Sequence, residues 1–151
     1  MKNIIITILN YIDRNLYKKI TIEELSQLVY FNKDYIMRIF KKEIKMTIVE
    51  YINKRKVFNS LHYLRTTNDS ILKISLIHGY SSQEYYSEIF SKYIGVSPLV
   101  YRKFSKSNID VKYSDIVIIR KNLTKIKYEL DSIDKYKVKD SKNNRMILTK
   151  F

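Results

Sequence analysis

The sequence predicts an all-α protein with two helix-turn-helix units joined by a long central helix, plus a short C-terminal extension. Three observations carry this prediction. The 151 residues include only 2 Gly and 1 Pro, too few for the Gly-dependent turns of sandwiches and barrels. Apolar residues recur at helical spacing through most of the chain. A set of side chains also recurs at an interval of about 50 residues.

The elements follow in order. Ile5, Ile8, Leu9, Ile12 and Leu16 share one face of a first helix over 3–17. Thr21 caps the next helix from Ile22, with Glu24 completing a capping box and Leu25, Leu28 and Val29 facing inward. Asn32 caps a third helix, in which Tyr35, Ile36, Ile39 and Phe40 form the inner face. Two short helices this close predict a helix-turn-helix. Thr47 opens a longer helix over 48–65, with Val49, Ile52, Leu61 and Leu64 as core positions, and a polar cluster at 66–70 ends it. A short helix carrying Ile71, Ile74, Ser75 and Ile77 follows, with Gly79 as its left-handed stop. Ser82 caps a helix bearing Tyr85, Tyr86, Ile89, Phe90 and Tyr93, and Gly95 stops it. Ser97-Pro98 opens a last short helix through Arg102.

The repeat pairs Tyr35, Ile39, Phe40 and Lys42 with Tyr85, Ile89, Phe90 and Lys92, and Ser26 with Ser75. Its second half, with Ile74-Ser75, Gly79-Tyr80, Tyr85-Tyr86, Ile89-Phe90, Lys92, Gly95, Ser97-Pro98 and Tyr101-Arg102, resembles the C-terminal signature of the AraC/XylS family of transcription regulators. The first half adds Leu25-Ser26, Tyr35-Ile36, Arg38 to Lys42 and Tyr51-Ile52. The resemblance covers about two thirds of the chain. It implies a seven-helix domain over 1–104, with the helix at 48–65 joining two helix-turn-helix units, and a basic extension over 105–151.

The net charge of +14 favours a polyanionic partner. A recognition helix needs one face fixed to its own domain and the opposite face free. On that argument Asp34, Met37 and Arg38 of the first unit, and Gln83, Glu84, Ser87 and Glu88 of the second, are the candidate base contacts. Arg38 suits the bidentate contact to guanine. Asn32, Lys33, Lys41, Lys42, Ser82 and Lys92 are candidate phosphate contacts. Glu88 stands where family members often carry a basic residue. Tyr30 stands where they often carry a small one, and Ser26 and Ser75 replace their common Ala. The tyrosines at helical spacing are read as core rather than base-stacking groups.

The extension holds 12 of the 29 basic and 6 of the 15 acidic residues. Residues 105–114 read as a linker. Ile116, Ile119, Leu123, Ile126, Leu130 and Ile133 then form an apolar stripe on a helix over 115–137. That stripe either packs back on the domain or makes a weak dimer, and residues 115–119 also suit a strand. Residues 138–151 read as loose.

The absence of Cys excludes disulfides and thiolate metal sites. His62 and His78 lack partners at ligand spacing, and no constellation of nucleophile, base and orienting group is visible, so neither an enzyme nor a cofactor is expected. The apolar N-terminus is broken by Asn10, Asp13 and Arg14, which argues against a signal peptide or a membrane span. The expected protein is a cytoplasmic, nucleoid-associated regulator of transcription that binds double-stranded promoter DNA and contacts RNA polymerase, with activation favoured by resemblance. With no effector domain before Asn3 and only 47 residues in the extension, it is expected to act alone. A nonspecific architectural binder and a protein-interaction module stay open as alternatives.

Overall fold

The computed structural model describes the backbone of residues 2–106 and 110–149, and the side chains of 3–106 and 110–139. Those residues form eight helices and no strand. They are α1 (Lys2–Arg14), α2 (Ile22–Val29), α3 (Lys33–Ile44), α4 (Ile48–Thr66), α5 (Ile71–Ile77), α6 (Gln83–Ile94), α7 (Pro98–Ser105) and α8 (Tyr113–Thr149).

Hydroxyl and amide caps fix the helix starts. Thr21, Asn32, Thr47, Ser70, Ser82 and Ser97 each accept a hydrogen bond from the backbone N–H three residues on. Each such cap is worth about 1 kcal/mol against Ala. The six caps form three pairs separated by 49 or 50 residues, so the repeat extends to the local chemistry that starts each helix. The pair α2–α3 is the first helix-turn-helix unit and α5–α6 is the second.

One apolar core runs through both units. Ile5, Ile8, Leu9 and Ile12 of α1 pack with Leu25, Ile36 and Phe40 of the first unit. Leu61 and Leu64 of α4 and Tyr101 of α7 pack with Ile74, Tyr86 and Phe90 of the second. The buried hydroxyl of Tyr86 donates to Ser60 (2.7 Å), and that of Tyr80 donates to Asn53 (2.9 Å). Helix α4 therefore holds the second unit by polar contacts as well as by packing. His78 is fully buried; its Nδ1 lies 2.8 Å from the Ile74 carbonyl and its Nε2 lies 2.9 Å from the Asn59 amide. It is a structural histidine, and His62 is exposed on α4.

Several expectations need correction. Helix α1 stops at Arg14, where the Asn15 side chain bonds the Tyr11 carbonyl, and leaves Leu16 half-buried in the turn. Leu28, Val49 and Tyr85 are exposed rather than core. Leu28 lies at the margin of the short α2. Val49 and Tyr85 both line an open cleft formed by the loop after α1, α4 and the second unit, so their apolar surface meets open space.

The extension differs most. Residues 115–119 are helical, and α8 continues to Thr149 where a loose tail was expected. The linker shrinks to residues 106–112, of which 107–109 lie outside the described residues, as do 150–151. Ile119, Ile126, Leu130 and Ile133 are buried within the chain, and α8 packs on α4 and α6. The stripe thus packs back on the domain at four of its six residues, with Ile116 and Leu123 half-buried. No helix among the described residues is long and apolar enough to cross a membrane.

Candidate nucleic-acid interface

Helices α3 and α6 have the same length, the same kind of cap and equivalent anchors. In α3 the buried anchors are Ile36, Ile39, Phe40 and Ile44. In α6 they are Tyr86, Phe90 and Ile94, with Ile89 half-buried. At about 100° per residue the remaining positions face away from these anchors. Asp34, Met37, Arg38, Lys41 and Lys42 are all exposed on α3. On α6, Glu84, Glu88 and Lys92 are exposed, while Gln83 and Ser87 are half-buried. The structure thus groups the sequence-predicted residues into two patches, one on each helix.

Arg38 is the best-placed of the candidate readers. Its guanidinium lies 5.6 Å from the centre of the Tyr35 ring, which stacks in turn on Phe31 at 5.1 Å. Ring contact orients the planar group and leaves its donors without a protein acceptor among the described residues. Lys33 is placed differently. Its ammonium bonds Glu23 of α2 at 2.7 Å, which pushes its pKa up and that of Glu23 down. This pair is exposed, so a phosphate could replace the carboxylate at little cost. Asn32 and Ser82 spend one side-chain oxygen lone pair on their helix caps, at 2.8 and 3.1 Å. The Asn32 amide and the Ser82 hydroxyl proton remain for an anion at the helix start. Lys92 lies 5.5 Å from the Tyr93 ring.

The two patches differ in charge. Asp34, Arg38, Lys41 and Lys45 step along one face of α3 and its C-cap. The equivalent positions of α6 are Glu84, Glu88, Ser91 and Gly95. Lys45 was missed in sequence although the 4-3-4 spacing from Asp34 points to it. Tyr30, with 92% of its surface exposed, was missed as a surface group in the first turn. Lys56 was also missed. It is buried on α4, where its ammonium donates to the Lys18 carbonyl at 2.7 Å and burial pushes its pKa down to about 8.

Known proteins share this arrangement. Residues 25–103 match the family model described as a helix-turn-helix domain, just over half of the chain. The HTH-type transcriptional activator AarP of Providencia stuartii is 30% identical over 117 residues, covering 78% of this chain and 83% of AarP. The chain belongs to the AraC/XylS family of transcription regulators. The melibiose operon regulatory protein of Escherichia coli K12 is 34% identical over 98 residues, but the chain spans only 32% of its length. Among solved structures, the C-terminal domain of AraT, a response regulator from Geobacillus stearothermophilus, superposes with TM-score 0.64 at 25% identity, covering 73% of this chain and 89% of that one. The DNA-binding domain of AdpA, solved in complex with a target DNA, shares the fold with TM-score 0.63 at 18% identity, covering 66% of this chain and 90% of that one. Residues 25–103 take in both helix-turn-helix units, α3 and α6 included, and end before α8.

Proposed function

We propose that this protein is a sequence-specific, non-enzymatic regulator that places α3 and α6 in successive major grooves of promoter DNA and activates transcription there. One observation carries the reading: two equivalent helices, each anchored by its inner face and free on its outer face, stand on one core. Asp34, Met37 and Arg38 read one half-site; Gln83, Glu84, Ser87 and Glu88 read the other. Asn32, Lys33, Lys41, Lys42, Ser82 and Lys92 hold the flanking phosphates. Arg38 takes a guanine through its N7 and O6. Glu84 and Glu88 suit cytosine N4 but repel phosphate, so the second half-site is read more selectively and held more weakly. One copy carries both readers, so a dimer is not required. Activation is favoured by the likeness to the activator AarP, and contact with RNA polymerase is the proposed route to it.

The test compares affinity for a selected duplex and a random duplex at one salt concentration. A regulator of this kind gives a ratio of about a thousandfold or more. A ratio near one would instead fit an architectural binder held by charge alone.

A further inference from the structure

Helix α8 lies outside the family match, yet it touches the C-terminal end of both recognition helices. At one end, the Asn122 amide donates to the carbonyl of Ile94, the last residue of α6, at 2.8 Å. Gly95 follows at φ +91, and a Cβ there would sit 2.2 Å from Ile118 and 2.8 Å from the Asn122 amide. The absence of a side chain at Gly95 is what lets α8 seat on α6. At the other end, the Tyr136 hydroxyl donates to Glu43, in the last turn of α3, at 3.0 Å. Lys137 pairs with Asp13 of α1 beside it.

Between those ends α8 is fastened to α4. Glu129 accepts from Lys54 at 2.8 Å, and Asp134 pairs with Arg55. Ile119, Ile126, Leu130 and Ile133 fill the seam. At about 1.5 Å per residue the segment from Ile118 to Lys137 is about 29 Å long. That is close to the ~34 Å between successive major grooves. The chain already connects α3 to α6 through α4, and α8 adds a second, noncovalent tie of comparable length.

We propose that α8 is a brace fixing the separation and angle of the two recognition helices, with Asn122, Glu129, Asp134 and Tyr136 as its positioning residues, so that the protein accepts one spacing between half-sites. The function of the brace rests on the two-reader proposal above, whereas its mechanical part does not. The charges sharpen the case. Lys54 and Arg55 are largely buried, at 11% and 16% side-chain exposure, so losing Glu129 leaves the Lys54 ammonium poorly solvated in the seam, and losing Asp134 leaves Arg55 with Asp13 alone at 3.5 Å. Reversing those carboxylates should therefore lift α8 from α4.

Two readouts keep the proposal and the DNA-reading proposal separable. The chain has no Cys, so Lys42→Cys with Lys92→Cys places a spin label on each reader alone. Without DNA, the parent gives one narrow label-to-label distance. Glu129→Lys with Asp134→Lys broadens it, and adding Lys54→Glu and Arg55→Glu narrows it again. Glu129→Gln with Tyr136→Phe, which keeps side-chain size, serves if the reversal prevents folding, and gives an intermediate width. The second readout is affinity for duplexes with two base pairs added between half-sites, a rotation of about 70°. The parent loses about tenfold or more, worth about 1.4 kcal/mol. The braceless variant loses less than about threefold while its affinity for a single half-site stays the same. An unchanged distance distribution in every folded variant would overturn the brace. Distances that respond in a protein showing no preference among duplexes would keep the brace and overturn the two-reader function.

Discussion

The two helix-turn-helix units use the same backbone and fill it differently. Each turns left-handed at the end of its first helix, at Tyr30 in one and Gly79 in the other. Each does so again after its recognition helix, at Lys45 and Gly95. The hydrogen bonds match too: Phe31 N–H to the Ser26 carbonyl (3.3 Å) corresponds to Tyr80 N–H to the Ser75 carbonyl (3.1 Å). Left-handed backbone costs a residue with a Cβ about 1–2 kcal/mol, so conformation alone would favour glycine at all four corners. The difference lies in what surrounds them. Tyr30 and Lys45 stand in solvent. A Cβ on Gly79 would lie 2.3 Å from the backbone of Lys18, and one on Gly95 would meet α8. Glycine appears where another segment closes on the corner. The second unit is thus clamped at both corners, by the loop after α1 and by α8, and the first is open.

Charge follows the same division. The open unit carries Arg38, Lys41 and Lys45 against Asp34 on its outer face, and the clamped one carries Lys92 against Glu84 and Glu88. The clamped unit is held in place by the rest of the protein, while the open one has the stronger charge for holding DNA.

The largest effects should be alike in the two units. Phe40 and Phe90 are equivalent and fully buried. Replacing either with Ala should cost about 3–5 kcal/mol in denaturant unfolding. A much smaller loss at one of them would mean that the two cores are not equivalent. Next come the corners, where the units should part. Gly79→Ala and Gly95→Ala should each cost about 2–4 kcal/mol, combining left-handed strain with a backbone or side-chain clash. Tyr30→Gly and Lys45→Gly should instead gain about 0.5–1 kcal/mol, since relief of strain exceeds the added entropy of the unfolded chain. Loss of stability in the latter pair would mean those side chains make contacts that outweigh their strain.

The readers come third. Arg38→Ala should cost about 1–3 kcal/mol in DNA binding and relax sequence preference in one half-site only. Glu88→Gln should raise affinity for random duplex, steepen its salt dependence and relax the preference in the second half-site, because it removes a repulsion from phosphate together with a base-reading carboxylate. A uniform loss with Arg38→Ala would make that residue a phosphate contact. The last effect, read through pH, concerns Lys56, which holds the Lys18 loop against Gly79. Its folded pKa, about 8, lies below the ordinary lysine value of 10.5, so the unfolded chain binds more protons between those limits. Its contribution should therefore grow as pH rises from 8 to 10.5 and shrink as pH falls through 8. The stability difference between the parent and Lys56→Met, measured across that range, should show this slope, and a flat difference would count against it. Burial holds the phenols of Tyr51, Tyr80 and Tyr86 above their ordinary value of 10.0. They take stability away above about pH 10 in both proteins and cancel in the difference.

The helix starts were legible because each cap depends on residues within one turn of it. The anchors of α3 and α6 were legible because helical spacing defines a face. Where such a face ends was not legible: Leu28 on α2, Val49 on α4 and Tyr85 on α6 each sit at an edge, and only the neighbouring element decides whether an edge is covered. The reach of α8 was missed for a related reason. Its apolar stripe stops at Ile133, but the helix continues with support from pairs such as Asp134 with Lys137 at 3.2 Å. The glycines announced two turns in sequence. Their deeper role, admitting Lys18 and Ile118, depends on segments about 60 and 20 residues away. The candidate readers followed from the anchors, whereas Lys45 lay one step beyond the helix end and was passed over.

Selection of bound duplexes from a random pool tests the central claim most directly. Two unequal readers on one braced scaffold predict a bipartite motif with halves about 10 base pairs apart, a guanine in one half that disappears from the motif with Arg38→Ala, and no tolerance for altered spacing. A single uninterrupted half-site, or no enrichment at all, would contradict it.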